Sequence, residues 1–339
     1  MKTKKAYILG LGIFTCVIAC IIAFFLFAPI SKKDSTVCLY LDDDDTIDSV
    51  SVKLDALCHD FGSCSVMTMA RHTRYADKIR SGRYEITPSM GAFTLFRHLK
   101  NGQQTPVRLV LPSVRTKERL ADELSGKLMM SKDEILNTLE DNDSCAKYDA
   151  DTATIMCLFI PNTYEVYWNI SLDNFIKKMQ KESTSFWNGT RQAKADGLGL
   201  TTNEVITLAS IVDEETANNG EKPMIAGMYY NRLRQDMPLQ AAPTVKFALG
   251  QFELKRIYNN MLKTDSPYNT YTNKGLPPGP IRIPSVAGID AVLNLVHHDY
   301  IYMCAKEDFS GTHNFARTYA EHLANAAKYS AALNARSIK

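Results

Sequence analysis

The polar and apolar positions of this chain change rhythm several times. From Ala6 to Ile30 there is no charged side chain, and lysines flank the run: Lys2, Lys4 and Lys5 before it, Lys32 and Lys33 after it. These 25 residues exceed the roughly 20 a helix needs to cross a bilayer and the ~7–15 in the apolar core of a cleaved signal. The pattern predicts a membrane helix over 6–30. Shorter elements follow. Val37–Leu41 alternates as a strand does. Thr46–Leu57 repeats Ile47, Val50, Leu54 and Leu57 on one helical face. Val66–Met69 reads as a second short strand, and Ser81–Ile86 as a turn into a third. Gly91–Lys100 predicts a helix closed by Asn101-Gly102, a left-handed cap. Val107–Leu111 predicts a strand, and Thr116–Leu128 and Ser131–Leu139 predict helices.

A polar connection, Asp149–Thr154, and an aromatic-rich segment, Leu158–Tyr164, lead to an amphipathic helix over Ser171–Phe186. The most organised stretch is Thr201–Thr216. Thr201 with Glu204 fits a capping box. Val205, Leu208 and Val212 then form one apolar stripe. Three acids close the helix, and only Glu215 continues the stripe; Asp213 and Glu214 are turned roughly 100–200° away at 3.6 residues per turn. A carboxyl group on the inward face loses hydration, which raises its pKa and suits it to be a general acid. The plainer reading is a solvated acid triplet at a helix end, with Glu215 reaching water from the edge of the stripe. Both readings stand on the pattern alone.

Pro223–Arg234 predicts a further helix, with Ile225, Met228, Tyr229 and Leu233 on one side. Met237–Val245 is irregular and opens another short helix. Ser266–Pro280 is a stiff loop dense in Tyr, Asn, Thr, Pro and Gly. Such loops suit carbohydrate, because rings cover sugar faces and amides bond hydroxyls; an ordinary Pro/Gly loop fits as well. Tyr300–Cys304 predicts a strand and Tyr319–Ala335 a last helix. The fold class is α+β.

Composition narrows the function. With 45% hydrophobic and 22% charged residues over 339 positions, the chain can build one large core or two modest ones. A net charge of +2 argues against a nucleic-acid surface. There is no HExxH, P-loop, GxSxG or GxGxxG, so neither a metal nor a cofactor is expected. The adjacent His297-His298 do not share a helix face. Asp42–Asp45 lacks the spacing of a Ca²⁺ loop and reads as a solvated turn at a helix start. Six cysteines follow the apolar run without CxxC pairs and are expected to be scattered buried thiols. The early lysines and the amino terminus outweigh Lys32-Lys33, which Asp34 follows, so the N-terminus is expected in the cytoplasm and the remainder exported. Val17-Ile18-Ala19-Cys20 also resembles a lipobox, but Ile21–Ile30 stays apolar where a mature lipoprotein would turn polar.

Several separate motifs then occur in one order. They are Ala209-Ser210-Ile211-Val212-Asp213-Glu214-Glu215-Thr216, Tyr230-Asn231-Arg232-Leu233, Leu239-Gln240 with Pro243-Thr244-Val245, Tyr268-Asn269-Thr270-Tyr271 with Gly275-Leu276-Pro277-Pro278-Gly279, and His313-Asn314-Phe315. In that order the chain resembles the endolytic murein transglycosylases of the MltG (YceG-like) family. Pro161-Asn162-Thr163-Tyr164, Ser81-Gly82-Arg83-Tyr84 and Leu99-Lys100-Asn101-Gly102 resemble further signatures, the last two from its LysM-like region. The resemblance implies a cytoplasmic tail over 1–5, the membrane helix over 6–30, a small LysM-like α+β region over 31–112 and a larger mixed α+β catalytic domain over 113–339. It implies a single-pass bacterial inner-membrane protein facing the periplasm. Such a protein would cleave nascent peptidoglycan strands between MurNAc and GlcNAc and leave 1,6-anhydroMurNAc ends. It puts the catalytic acid, acting first as acid and then as base, on Glu215, and suggests proximity to peptidoglycan synthases. Asn231, Gln240, Tyr268, Asn269 and Tyr271 are the candidates for holding the glycan. Two positions depart from the family pattern: Ala242 and Asn162 stand where it has Asp. A peptidoglycan-binding protein with little or no cleavage is therefore the alternative, and a hydrolytic muramidase with a second carboxylate is a third reading.

Overall fold

The computed structural model describes residues 2–254 and 257–335; residues 1 and 336–339, the outer ends of the expected tail and catalytic domain, lie outside the described residues. Fourteen α-helices and three two-stranded sheets among the described residues make a mixed α+β fold. The chain divides into two units. One comprises Met1–Leu109, Lys127–Met130 and Tyr164–Ile170; the other comprises Val110–Gly126, Ser131–Thr163 and Ser171–Lys339.

In the first unit α1 (Lys2–Phe27) contains a stretch, Tyr7–Phe27, with mean hydropathy 2.8, long and apolar enough to cross a membrane. It leads to β1 (Val37–Leu41), α2 (Ile47–Leu57), α3 (Asp60–His72), β2 (Gly82–Ile86) and α4 (Ala92–Asn101). β1 and β2 pair antiparallel, with Val37 opposite Ile86 and Leu41 opposite Gly82. Leu39, Leu41, Tyr84 and Ile86 from the strands share a core with Leu54, Val66, Leu95 and Leu99 from the helices. Gly91, before α4, lies so close to the end of α1 that a Cβ there would sit 2.8 Å from Leu26 O and Phe27 Cα. The strand expected over Val66–Met69 is a correction: these residues lie inside α3. Gly62, Ser63, Ser65, Val66, Met67 and Ala70 are its buried positions, and the spacing of three and four among all but Ser65 outweighs the strand preference of Val66 and Thr68.

β3 (Val107–Leu111) and β4 (Asn162–Val166) pair with each other. In the second unit follow α5 (Lys117–Ser125), α6 (Lys132–Leu139), α7 (Asn142–Ala146), α8 (Leu172–Phe186), α9 (Gly189–Leu198), α10 (Thr202–Glu215), α11 (Lys222–Arg234), α12 (Ala242–Leu249) and α13 (Val286–Leu293). The chain closes with β5 (Tyr302–Ala305), β6 (His313–Ala316) and α14 (Tyr319–Ala335). Thr116, Ser131 and Ser171 accept backbone N–H groups as N-caps and so start α5, α6 and α8. Three helices carried no readable stripe. α7 has five residues. α9 buries only Ala195 and rests on its Asn188 cap. α13 is short and buried along most of its length. β6 was also unforeseen; it pairs with β5, His313 opposite Ala305.

α10 is the centre of this unit, packed against α11, α12 and α13. The capping box forms: Thr201 Oγ1 accepts from Glu204 N–H at 3.2 Å, and Glu204 accepts from Thr201 N–H at 2.7 Å. The apolar stripe is a second correction. Every residue from Val205 to Val212 is buried, so the helix has no water-facing side along that length. Ile206, Leu208 and Ile211 pack with Ile225, Tyr229, Ile289 and Val292. The cysteines are free. Beyond α1, Cys58, Cys145 and Cys157 are buried as expected, Cys38 and Cys304 are half-buried and Cys64 is exposed.

Candidate active site

Thr216, with extended backbone at φ −146°, ends α10. The link 216–220 then turns about Asn218, whose Oδ1 accepts from Gly220 N–H at 3.0 Å, and α11 begins. Three acids thus stand at a helix C-terminus, the negative end of the macrodipole, with no basic residue in the last turn. Each needs compensation from elsewhere in the fold.

Two of them receive it. Asp213, its side chain 4% exposed, meets the equally buried Lys222 at 2.8 Å. It also accepts from Ser285 N–H at 2.6 Å and from Ser285 Oγ at 3.2 Å. A side chain at Gly288 would run into this carboxylate, so glycine permits the approach. Glu214 lies between Arg115 at 2.7 Å and Arg282 at 2.8 Å. Glu215 has no ion pair among the described residues. Its Oε1 accepts the Tyr229 hydroxyl at 2.5 Å. Burial pushes the Glu215 carboxyl above the ordinary carboxylate range; the Tyr229 hydrogen bond and the charges of His313 and Lys246 oppose this without cancelling it. Burial and then the Glu215 charge push the Tyr229 hydroxyl up as well. The direction of the three side chains, which singled out Glu215 in the sequence, is less decisive than their partners.

Glu215 is half-buried because it faces a cavity of about 210 Å³. Tyr229, Arg232, Gln240, Ala242, Cys304 and His313 also line it. Arg232 is 7% exposed and donates to the carbonyls of Ile301 at 2.6 Å and Leu239 at 2.8 Å, and to Gln240 Oε1 at 3.3 Å. No carboxylate pairs with it among the described residues, so the cavity carries a positive wall. Gln240 has a left-handed backbone, φ 52°, uncommon for a side-chain-bearing residue. Its N–H donates to Thr270 O at 3.0 Å, which holds the strained turn. His313 is fixed by Glu221, whose carboxylate accepts from its N–H at 2.6 Å and lies 3.1 Å from Nδ1.

Of the expected glycan contacts, Gln240 lines this cavity. Tyr271 is close enough that burial and then the Glu215 charge raise its hydroxyl pKa. Asn231, Tyr268 and Asn269 do not line it. The Asn231 amide donates to the carbonyls of His298 at 2.6 Å and Tyr300 at 3.0 Å. Asn269 is fully buried; it donates to Leu262 O and Thr264 O and accepts from Tyr271 N–H. Tyr268 packs on Phe247, ring centroids 4.8 Å apart, beside a separate cavity. An amide spent on backbone carbonyls and one free for sugar hydroxyls look alike in a sequence. Tyr229, Arg232 and His313 were not foreseen as site residues. Tyr229 and Arg232 stand three apart on a foreseen helix, which puts them on one face, but Tyr229 was read as a core ring.

Residues 39–328 match the model of the YceG-like family. The chain belongs to that family. It is similar to proteins named endolytic murein transglycosylase: 36% identical over 164 residues to one from Bacillus subtilis, covering 48% of this chain and 44% of the relative. To one from Streptococcus pneumoniae it is 29% identical over 301 residues, covering 77% of this chain and 52% of the relative. The chain thus spans about half the length of these relatives. A crystal structure of a YceG-like protein from Listeria monocytogenes aligns over 86% of this chain and 99% of its own, with TM-score 0.55 and 26% identity.

Proposed function

We propose that this protein is a membrane-anchored endolytic lytic transglycosylase of peptidoglycan, cleaving MurNAc–GlcNAc bonds within nascent strands and leaving 1,6-anhydroMurNAc ends. One observation carries the reading: of three consecutive carboxyl groups, Glu215 alone is left without a cation among the described residues and faces a cavity, and Tyr229 is its one hydrogen-bond partner among them. The names of the relatives support the substrate class.

The chemistry follows from having one carboxyl there. Protonated Glu215 gives its proton to the glycosidic oxygen as the C1–O bond breaks and positive charge develops on the sugar. Ionised Glu215 then receives the proton released when the muramic C6 hydroxyl closes on C1. The nucleophile belongs to the substrate, so its entropy of approach is already paid. No second carboxylate is needed to activate water, unlike in ordinary glycosidases. Glu215 is the only acid lining the cavity among the described residues, while Asp213 and Glu214 are held by cations; this favours transglycosylation over hydrolysis. Gln240 and Tyr271 are the remaining candidates for holding the sugar.

The apolar α1 is the anchor, with the N-terminus cytoplasmic and the rest exported. The antiparallel β1–β2 pair with α2 and α3 between its strands supports a LysM-like reading of 31–112, with 113–339 as the catalytic domain. Neighbouring peptidoglycan synthases are the expected protein partners. A binding protein with weak cleavage is the second reading, favoured by Ala242: it lines the cavity at the position where the family pattern has Asp. Mass spectrometry of peptidoglycan strands incubated with the protein decides. Anhydromuramic ends support the transglycosylase. Reducing ends mean a hydrolase. Binding without cleavage means the second reading, and makes Ala242→Asp the first variant to try.

A further inference from the structure

His313 and Glu221 form a pair for which the single-carboxyl scheme has no use. Glu221 ends the link that begins after Glu215, so 216–220 bring one acid to the cavity and a second behind it. The Glu221 side chain is 8% exposed and that of His313 16%. Both carboxylate oxygens are spent on His313, one on its backbone N–H at 2.6 Å and one on Nδ1 at 3.1 Å. The backbone bond fixes β6 relative to the start of α11, and the side-chain bond fixes the ring. A carboxylate only accepts, so Nδ1 carries the hydrogen, and it is in the neutral ring that Nε2 offers a lone pair. No partner for Nε2 occurs among the described residues, and His313 lines the Glu215 cavity. The other titratable or charged groups lining that cavity are Glu215 from α10, Tyr229 and Arg232 from α11, and Cys304 from β5; Lys246 from α12 and Tyr271 are near enough to interact with Glu215. A buried carboxylate orienting an imidazole that lines a cavity and whose second nitrogen has no partner among the described residues is an arrangement suited to a proton carrier.

We infer that His313 is a further catalytic residue, carrying the C6 hydroxyl proton in the ring-closing step, and that Glu221 is its positioning residue. The inference rests on the transglycosylase reading. Glu215 gives its proton to the leaving oxygen as C1–O4 breaks. The muramic O6 bonds to C1, and its proton passes to His313 Nε2. The imidazolium, held by Glu221, then returns a proton to the Glu215 carboxylate. Both groups end as they began. The carrier removes the need for one carboxyl group to face the leaving oxygen and O6 in turn.

The test compares the full-length protein with His313→Gln and Glu221→Gln, measuring strand cleavage rates against substrate concentration and pH, with Tm for each. His313→Gln keeps the approximate size and a polar tip but carries no proton. Its kcat is expected to fall roughly 10²-fold or more, with KM and Tm near those of the native protein. Glu221→Gln presents an amide that can donate to Nδ1, which frees the ring to reverse its tautomer. It is expected to lower kcat less and to displace the pH profile, which a merely structural contact would not do. A kcat for His313→Gln within a few-fold of native overturns the inference, as does a Glu221→Gln variant whose loss follows Tm with an unmoved profile. If the native protein makes anhydromuramic ends and these variants do so equally fast, the inference alone fails. If the native protein makes none, the reading beneath it fails as well.

Discussion

The last turn of α10 has two sides. On one, Asp213 and Glu214 are matched by Lys222, Arg115 and Arg282. On the other, Glu215 has a hydroxyl and a cavity. All three are carboxyl groups at the same unfavourable helix end, and the fold treats them oppositely. The matched pair ties α10 to neighbouring segments: Asp213 reaches Lys222 and Ser285, and Glu214 reaches Arg115 and Arg282. The unmatched acid contributes little to cohesion, and burial acts on it as a raised pKa. Under the proposed function, helix position alone does not mark the catalytic acid; the mark is which carboxyl the surrounding cations leave alone.

The largest expected effect is on the unmatched side. Glu215→Gln should lower strand cleavage by roughly 10²–10⁴-fold, the range of a lost general acid or base, while circular dichroism shows native folding. On the matched side the effect should be structural. Asp213→Asn leaves Lys222 buried without its counter-charge, a loss of about 3–5 kcal/mol for a broken buried pair, read by chemical denaturation. A loss of cleavage without destabilisation there would erase the distinction between the two sides. Tyr229→Phe removes a hydrogen bond that holds the Glu215 pKa down. The rate should fall about tenfold, ~1.4 kcal/mol, and the high-pH limb of the pH–rate profile should move upward, since the active form is protonated Glu215. The smallest effect concerns stability. A carboxyl raised by folding favours the native state below about pH 4, its unfolded value, and that contribution is lost as pH rises through the folded value. Glu215→Gln does not ionise, so its Tm should match native near pH 4 and exceed it by a few degrees at pH 8, at about 2–4 °C per kcal/mol.

Much of the frame was legible in the sequence. The capping box at Thr201 announced its helix because its side chains act locally, and the helices read to begin at Thr46, Thr116, Ser131 and Ser171 prove to be capped by those same side chains. The run through α1 was legible because length and apolarity suffice. Glu215 was singled out by a stripe that dissolves in the fold, since α10 is buried all round from 205 to 212. What was not legible depends on pairings far apart in the chain. Arg115 meets Glu214, and His313 meets Glu221, across about a hundred positions. Asn231 and Asn269 were read as sugar ligands because nothing local reveals that their amides serve backbone carbonyls.

The most direct measurement is the ¹³C NMR titration of the Glu215 side-chain carboxyl in the folded protein, assigned by its loss in Glu215→Gln. A midpoint above the ordinary glutamate value of about 4.3 is expected, moving higher still in Tyr229→Phe. A midpoint at or below that value would mean that Glu215 is ionised whenever the protein is near neutral pH, and would contradict its assignment as the proton donor.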